Sequence, residues 1–135
     1  MDLSKAMQIS AAGLEAQGQR LRVVAENVAN VNSTDERTGL PYRRKVITFR
    51  NELDRELGLE LVKPSRIALD RSDFGRKYDP GHPQADEEGF VLTSNVKPVI
   101  EVQDMREAQR SYEANLNMIA ITKQMLQQTI DLLRN

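Results

Sequence analysis

The chain contains no cysteine and only one histidine. Without cysteine it can form no disulfide, no thiolate metal site and no thiol nucleophile, and the redox compartment stays open. The histidine, His82, stands near several acids, but their spacing matches neither a zinc pattern nor a calcium-binding loop. Neither a phosphate-binding loop nor a G-x-S-x-G motif occurs. We therefore expect no catalytic residue, no metal and no cofactor, and a metal-dependent hydrolase built on the His82 loop is the weakest hypothesis.

The chain also lacks an excess of charge of either sign. Nineteen basic and twenty acidic residues give a net charge of −1, which argues against a nucleic-acid surface. No stretch reaches the roughly 18 apolar residues of a membrane span, and the N-terminus lacks a basic segment followed by an apolar core. We expect neither a cleaved signal peptide nor a membrane anchor. Some export routes leave no such mark, so this does not assign a compartment.

The last third of the chain predicts one long helix. Residues 99–135 contain neither glycine nor proline, the residues that break helices. Large side chains recur there every seven residues, the repeat that keeps an apolar seam facing a partner helix. At 1.5 Å per residue this helix would be about 50 Å long, whereas a compact domain of this size is about 35–40 Å across. The molecule is predicted to be elongated, with a seam of Met105, Tyr112, Ile119, Leu126 and Leu133.

A second helical pattern runs from residue 3 to about residue 30 and is the expected partner of the first. It is predicted to end there because the asparagine, serine and threonine residues of 30–34 favour a turn. Its large side chains again recur every seven residues, and Val24 and Val31 add a neighbouring row. Gly13 and Gly18 lower its intrinsic helicity. Two interpretations stay open, an ordinary pair inside one subunit or helices that also form an intersubunit core. The predicted seam of this helix is Met7, Leu14, Leu21 and Val28.

The middle of the chain predicts a small β-rich insert. Residues 43–49 are rich in β-branched side chains and read as a strand, whose basic start at 43–45 is interpreted as solvated or as a contact for a neighbour's acids. Other segments are assigned by proline, glycine and β-branched content. They are a helical turn or loop at 51–58, short strands at 59–62 and 67–69 around a turn at 63–66, a long loop at 72–89 and a last strand at 90–93.

The side of the C-terminal helix away from its seam is nearly uncharged between Glu113 and Asp131. A solvated helix surface is usually charged, so this face is predicted to meet protein as well. A glutamine-rich but exposed surface is the alternative. The far face consists of Glu113, Ala114, Asn117, Ala120, Ile121, Gln124, Gln127 and Gln128.

Three groups of motifs together span the chain. They are ANVNST at 29–34 with PYRR at 41–44, DPGHP at 79–83 with ADEEGFV at 85–91, and VKPVIE at 96–101 with DM at 104–105 and AQRSYEAN at 108–115. These motifs resemble those of bacterial flagellar axial proteins. The first is shared across rod and hook proteins, whereas the second is similar to the stretch specific to the proximal rod (FlgC) family. Phe90 stands where a tyrosine is commoner, and residues 35–37 with Leu40 alter the first loop.

The resemblance implies a structural rod subunit and no enzyme. Such subunits polymerise through terminal helices, paired as an antiparallel coiled coil around a tubular core, into the drive shaft that crosses the periplasm from motor to hook. It also implies export by the flagellar type III apparatus without a cleaved signal. The implied partners are copies of the chain, FlgB, FliE and distal rod proteins, with no small-molecule substrate. The alternative is a cytoplasmic adaptor or regulatory module that dimerises as a four-helix bundle.

These inferences predict a mainly α fold in three segments. They are an N-terminal helix at 1–32, the loop and β insert at 33–98, and a C-terminal helix at 99–135. The predicted assembly interface comprises Met7, Leu14, Leu21, Val24, Val28, Met105, Tyr112, Ile119, Leu126 and Leu133.

Overall fold

A computed structural model describes residues 2–135 of the chain. Met1, where the predicted N-terminal segment begins, lies outside the described residues. In chain order, two small antiparallel sheets, each of two strands, lie between two long helices. The prediction of a mainly α chain with a small β insert between terminal helices is confirmed; the three segment boundaries and the supercoil stay predictions. The elements are α1 (Leu3–Ala29), β1 (Lys45–Asp54), β2 (Leu59–Leu69), β3 (Gly75–Tyr78), β4 (Phe90–Thr93) and α2 (Pro98–Arg134).

Helix α1 begins and ends at polar residues that satisfy free backbone groups. The Asp2 carboxylate accepts a hydrogen bond from the Ser4 N–H at 3.0 Å, as a helix N-cap does. At the other end, both the backbone N–H and the side-chain amide of Asn30 donate to the Glu26 carbonyl. Asparagine and serine therefore end the helix where the sequence predicts.

Helix α2 runs antiparallel to α1 and extends past its start. Asn27 near the end of α1 contacts Glu101 near the start of α2, whereas Gly13 lies against Asn115 further along. The helices contain 27 and 37 residues. Because Gly13 lies against Asn115, the start of α1 at Leu3 lies opposite about residue 125 of α2. At 1.5 Å per residue, the rest of α2 to Arg134 therefore extends about 13 Å beyond α1. The last buried residue of α2 is Thr122.

The predicted turn at 63–66 is wrong, because β2 is one continuous strand paired with β1. The register shifts between Thr48 and Phe49, where Thr48 pairs with Arg66 and Phe49 with Pro64. This β-bulge leaves Ser65 as the extra residue. Proline lacks the N–H that a ladder needs, and a bulge in a two-stranded sheet tolerates that loss. Sequence reasoning therefore mistook a bulge for a turn.

Two further segments of the insert differ from the prediction. Residues 51–54, expected in a helical turn or loop, continue β1, and the chain reverses at 55–58, where the Asp54 carboxylate accepts from the Glu56 and Leu57 N–H groups. The expected loop at 72–89 contains β3, which pairs with β4. A four-residue strand that starts with glycine carries almost no periodic signal of its own. The last strand, β4, is confirmed.

Two glycines in left-handed backbone conformation supply a matched stability test. Gly58 has φ +63 with nothing within 4 Å of an added Cβ, so Gly58→Ala should cost only the conformational strain of about 1–2 kcal/mol. Gly89 has φ +86, and its Cβ would lie 3.0 Å from Tyr78 and 3.1 Å from Pro80. We expect Gly89→Ala to be the more destabilising change in denaturant unfolding. Equal losses would mean that Tyr78 and Pro80 move aside freely.

Candidate functional site

The helices contact each other through small and polar side chains. On α1 the buried residues lie three or seven positions apart, except for the adjacent Val23 and Val24, and on α2 Glu101, Ala108 and Thr122 are buried at multiples of seven residues. A Cβ on Gly13 would lie 2.7 Å from the Asn115 side-chain amide, so glycine there permits the close approach. The buried residues of α1 are Ser10, Gly13, Ala16, Val23, Val24 and Asn27.

The predicted seam residues lie beside this contact line. Val24 is buried with 4% of its surface exposed, but Leu126 is 40% and Leu133 is 84% exposed. Except for Val24, the large side chains of the seam are therefore only partly covered within one chain. The remaining seven, half-buried, are Met7, Leu14, Leu21, Val28, Met105, Tyr112 and Ile119.

A buried polar cluster joins the helix pair to the insert at the end where α1 stops and α2 starts. Glu101 is fully buried, and its carboxylate accepts hydrogen bonds from the Arg44 guanidinium and from the Asn27 amide at 3.2 Å. The Asn27 carbonyl oxygen in turn accepts from the Tyr42 hydroxyl at 3.0 Å and from the Lys45 N–H at 2.9 Å. We call these five residues the anchor. Because buried charges and amides are stable only when paired, the anchor holds both helices and β1 in one arrangement.

The interpretation of 43–45 as a solvated strand end is wrong. Arg44 contacts Glu101 and also Asp70 and Asp104, at 3.4 and 3.5 Å. Lys45 pairs with Glu26 at 3.0 Å, and the hydrogen bond from its ammonium to that carboxylate raises the pKa of Lys45. These cations hold the chain's own acids, so they are not free for a neighbour's.

The outer basic residue, Arg43, is also held within the chain. Its guanidinium donates to the Asp70 and Ser72 carbonyls, both at 2.9 Å, and lies 4.1 Å above the centre of the Phe74 ring. Cation–π contacts of this kind add about 0.5–1 kcal/mol at exposed sites. All three basic side chains therefore make contacts within the chain that hold the insert in place.

Sequence reasoning missed the anchor because it searched for large apolar side chains. Glu101, Ala108, Asn115 and Thr122 form a seven-residue row of their own on α2. A row of small and polar residues beside a row of large ones is the available signal. It marks where a partner helix approaches closely, but nothing local identifies Arg44 as the partner of Glu101, 57 residues away.

The half of the helix pair far from the anchor is nearly uncharged. We call residues 3–19 and 114–130 the distal half; its only charged residues are Lys5, Glu15 and Lys123. All eight far-face residues are exposed. Large apolar side chains on α2 are 40–51% exposed as well, namely Leu116, Met118, Ile121, Met125, Leu126 and Ile130. Contiguous apolar surface of this kind marks sites of protein contact.

The His82 side chain takes part in a local turn. The ring Nδ1 accepts a hydrogen bond from the Gln84 N–H at 3.1 Å, which orders a turn. Within residues 2–135 no group of three or more His, Asp or Glu side chains is placed to hold a metal ion. No helix in that range is long and apolar enough to cross a membrane.

Asp70 makes the stability of the insert sensitive to acid. Hydrogen bonds from the Ser72 backbone N–H and hydroxyl, and then Arg44, hold the pKa of Asp70 below its ordinary 3.8. Because the folded state binds the proton more weakly, this stabilisation is present above pH 3.8 and is lost as pH falls through the lower folded value. Thermal unfolding between about pH 5 and pH 2 should show a shallower acid decline for Asp70→Asn. The exposed Asp73→Asn is the control, and an unchanged decline in Asp70→Asn would contradict the assignment.

Comparison with known proteins identifies the same helices. Residues 7–35 match the family model "Flagella basal body rod protein", and residues 87–132 match "Flagellar basal body rod FlgEFG protein C-terminal". These matches cover most of α1 and α2 and include two of the five anchor residues, Asn27 and Glu101. The adaptor alternative finds no support in them.

Curated relatives match over nearly the whole chain. The protein named "Flagellar basal-body rod protein FlgC" from Agrobacterium fabrum is 51% identical over 98% of this chain and 96% of its own length. The Aquifex aeolicus protein of that name is 39% identical over 97% of each, and that of Salmonella typhimurium is 33% identical over 98% of each. The identity and coverage of these relatives show that the chain belongs to the FlgC family of flagellar basal-body rod proteins and is a structural subunit, not an enzyme.

Proposed function

We propose that the protein polymerises through its terminal helices into the proximal rod and helps to transmit torque from motor to hook. The observation that carries this proposal is the distal half, with its three charges and its exposed apolar side chains. Covering such a surface removes apolar area from water, worth about 25 cal/mol per Å². Neighbouring helix pairs on both sides supply that cover.

The ten residues of the predicted seam fit this role as assembly contacts. Val24 is already buried within its own chain, and Leu133 lies beyond the start of α1. The other eight flank the close helix contact, so each of these large side chains can pack within its own chain and against a neighbour. Paired in this way, the helices form an antiparallel coiled coil. The large seam side chains lie at the two sides of the helix contact, where neighbouring subunits can reach them. The insert at 33–98 stays outside the helical core.

The family name supports a location in the basal body. On that basis we propose export by the flagellar type III apparatus without a cleaved signal, and a place in the part of the rod that crosses the periplasm. The proposed partners are further copies of this chain, FlgB, FliE and distal rod proteins. Which of these partners contacts which depends on the helix faces that meet in the rod.

The test uses exposed residues, whose substitution leaves the isolated chain folded. Ile121 is 51% exposed, so Ile121→Glu should change the free energy of unfolding by no more than about 0.5 kcal/mol. If neighbours cover it, the stranded carboxylate costs several kcal/mol in the rod. We therefore expect Ile121→Glu and Gln124→Glu to be exported normally but to prevent basal-body assembly and swimming.

The matched control is Leu53→Glu on β1, since Leu53 is 57% exposed but belongs to the insert. Swimming on soft agar and electron microscopy of isolated basal bodies report the outcome. Intact basal bodies in both distal variants would show that the distal half is solvated and would sink the packing proposal.

A further inference from the structure

Two methionine side chains are exposed on the part of α2 that belongs to the distal half. Met118 and Met125 are 50% and 48% exposed, whereas Met7 and Met105 are half-buried. The exposed pair lies seven residues apart and flanks Ile121 at spacings of three and four, so all three share one face of the helix. The distal half contains neither cysteine nor an aromatic side chain. These two thioethers are therefore the groups of this surface that a peroxide oxidises most readily.

The hydroxyl groups one turn beyond the two methionines are already used. The Thr122 hydroxyl donates to the Met118 carbonyl at 2.7 Å, and the Thr129 hydroxyl donates to the Met125 carbonyl at 2.9 Å. Each hydroxyl has a single hydrogen, so neither can also donate to an oxygen added to the sulfur. A thioether packs as an apolar group and needs no such donor. A sulfoxide at either position would therefore bring a polar oxygen, unsatisfied by these hydroxyls, into a contact that covers this face, and burying it is unfavourable.

We propose that Met118 and Met125 form an oxidation site that controls whether the chain can enter the rod. Hydrogen peroxide transfers one oxygen atom to a thioether: the S–O bond forms as the O–O bond breaks, and the second oxygen leaves with both hydrogens as water. The sulfur is oxidised to a sulfoxide and the peroxide is reduced. Methionine sulfoxide reductases reverse the change. This proposal rests on the proposed packing of the distal half.

The exposure of the two sulfur atoms determines when the site can react. In the isolated chain both thioethers are open to solvent, so the chain is oxidised before assembly. In the rod, neighbouring subunits cover the distal half, so an assembled chain is protected. Oxidation therefore excludes new subunits and leaves finished rods intact.

The first test compares oxidation rates in the isolated full-length chain and in purified basal bodies. Both are treated with hydrogen peroxide, and mass spectrometry follows sulfoxide formation at each methionine. Leu53→Met adds a reference thioether on the exposed insert. Because susceptibility follows exposure, we expect Met118 and Met125 to react at least about tenfold more slowly in basal bodies, and the reference position to react equally in both. Equal rates at Met118 and Met125 in the two samples would overturn the proposal.

The second test imitates the sulfoxide genetically. Glutamine is close to methionine in length and in helix propensity, so Met118→Gln with Met125→Gln adds polarity without weakening the helix. We expect normal export but at least about tenfold fewer basal bodies, since unpaired polar groups disfavour a contact by such a factor. Met118→Leu with Met125→Leu keeps the surface apolar and should form several-fold more basal bodies than the glutamine variant. Leu53→Gln on the insert is the matched control and should swim normally.

The outcomes separate the oxidation site from the rod function. Normal numbers of basal bodies in the glutamine variant would refute the oxidation site. A leucine variant that assembles no better than the glutamine variant would refute it as well, because the loss would then not report polarity. Ile121→Glu tests the cover of the same face independently. If Ile121→Glu prevents assembly and the glutamine variant does not, only the oxidation proposal fails; if both assemble, the packing of the distal half fails with it.

Discussion

Arg44→Ala is expected to lower the free energy of unfolding by about 3–5 kcal/mol, because it strands the Glu101 carboxylate in the anchor. Glu101 is fully buried, and Arg44 is the cation that contacts it. The free energy of unfolding of native proteins is only about 5–15 kcal/mol, so this change would remove much of the stability of the fold. Denaturant unfolding followed by circular dichroism measures the change.

The control separates a stranded charge from a lost side chain. Arg43→Ala removes a neighbouring arginine that donates to the Asp70 and Ser72 carbonyls and contacts the Phe74 ring but pairs with no buried charge, so its cost should stay at about 1–2 kcal/mol. Replacing both partners, as Arg44→Met with Glu101→Leu, should recover part of the loss, since no unpaired charge remains. If Arg44→Ala costs no more than Arg43→Ala, water or another cation compensates Glu101.

Leu21→Asp or Ile119→Asp is expected to abolish rod assembly and swimming. Both side chains are half-buried in the isolated chain, and we propose that neighbouring subunits cover the remainder. An aspartate there must either stay charged at a cost of several kcal/mol or take up a proton. Swimming assays, export levels and microscopy of basal bodies measure the outcome.

His82→Ala is the control for these two variants, because the exposed His82 ring makes only a local hydrogen bond to Gln84. Near-normal swimming is expected. Should His82→Ala alone stop assembly while export continues, the His82 loop would have a role that its geometry does not reveal. Normal rods in both aspartate variants would contradict the proposed seam.

The helices and the overall plan follow from the sequence because they depend on local properties. The absence of glycine and proline after residue 98 and the seven-residue repeats predict α2, and asparagine and serine near residue 30 predict the end of α1. β-Branched runs predict β1 and β4. These signals need no knowledge of which distant residues meet.

Contacts between distant segments were decided only by the tertiary structure. The continuous β2 depends on pairing across the bulge opposite Thr48 and Phe49, and β3 exists because it pairs with β4. The close helix contact uses the small and polar row at Gly13 and Asn115, because backbones approach where side chains are small. The anchor joins Arg44 to Glu101, and burial of that pair is a property of the packed chain. Local sequence determined which residues form the two long helices; burial and long-range hydrogen bonding determined how the insert is fastened to them.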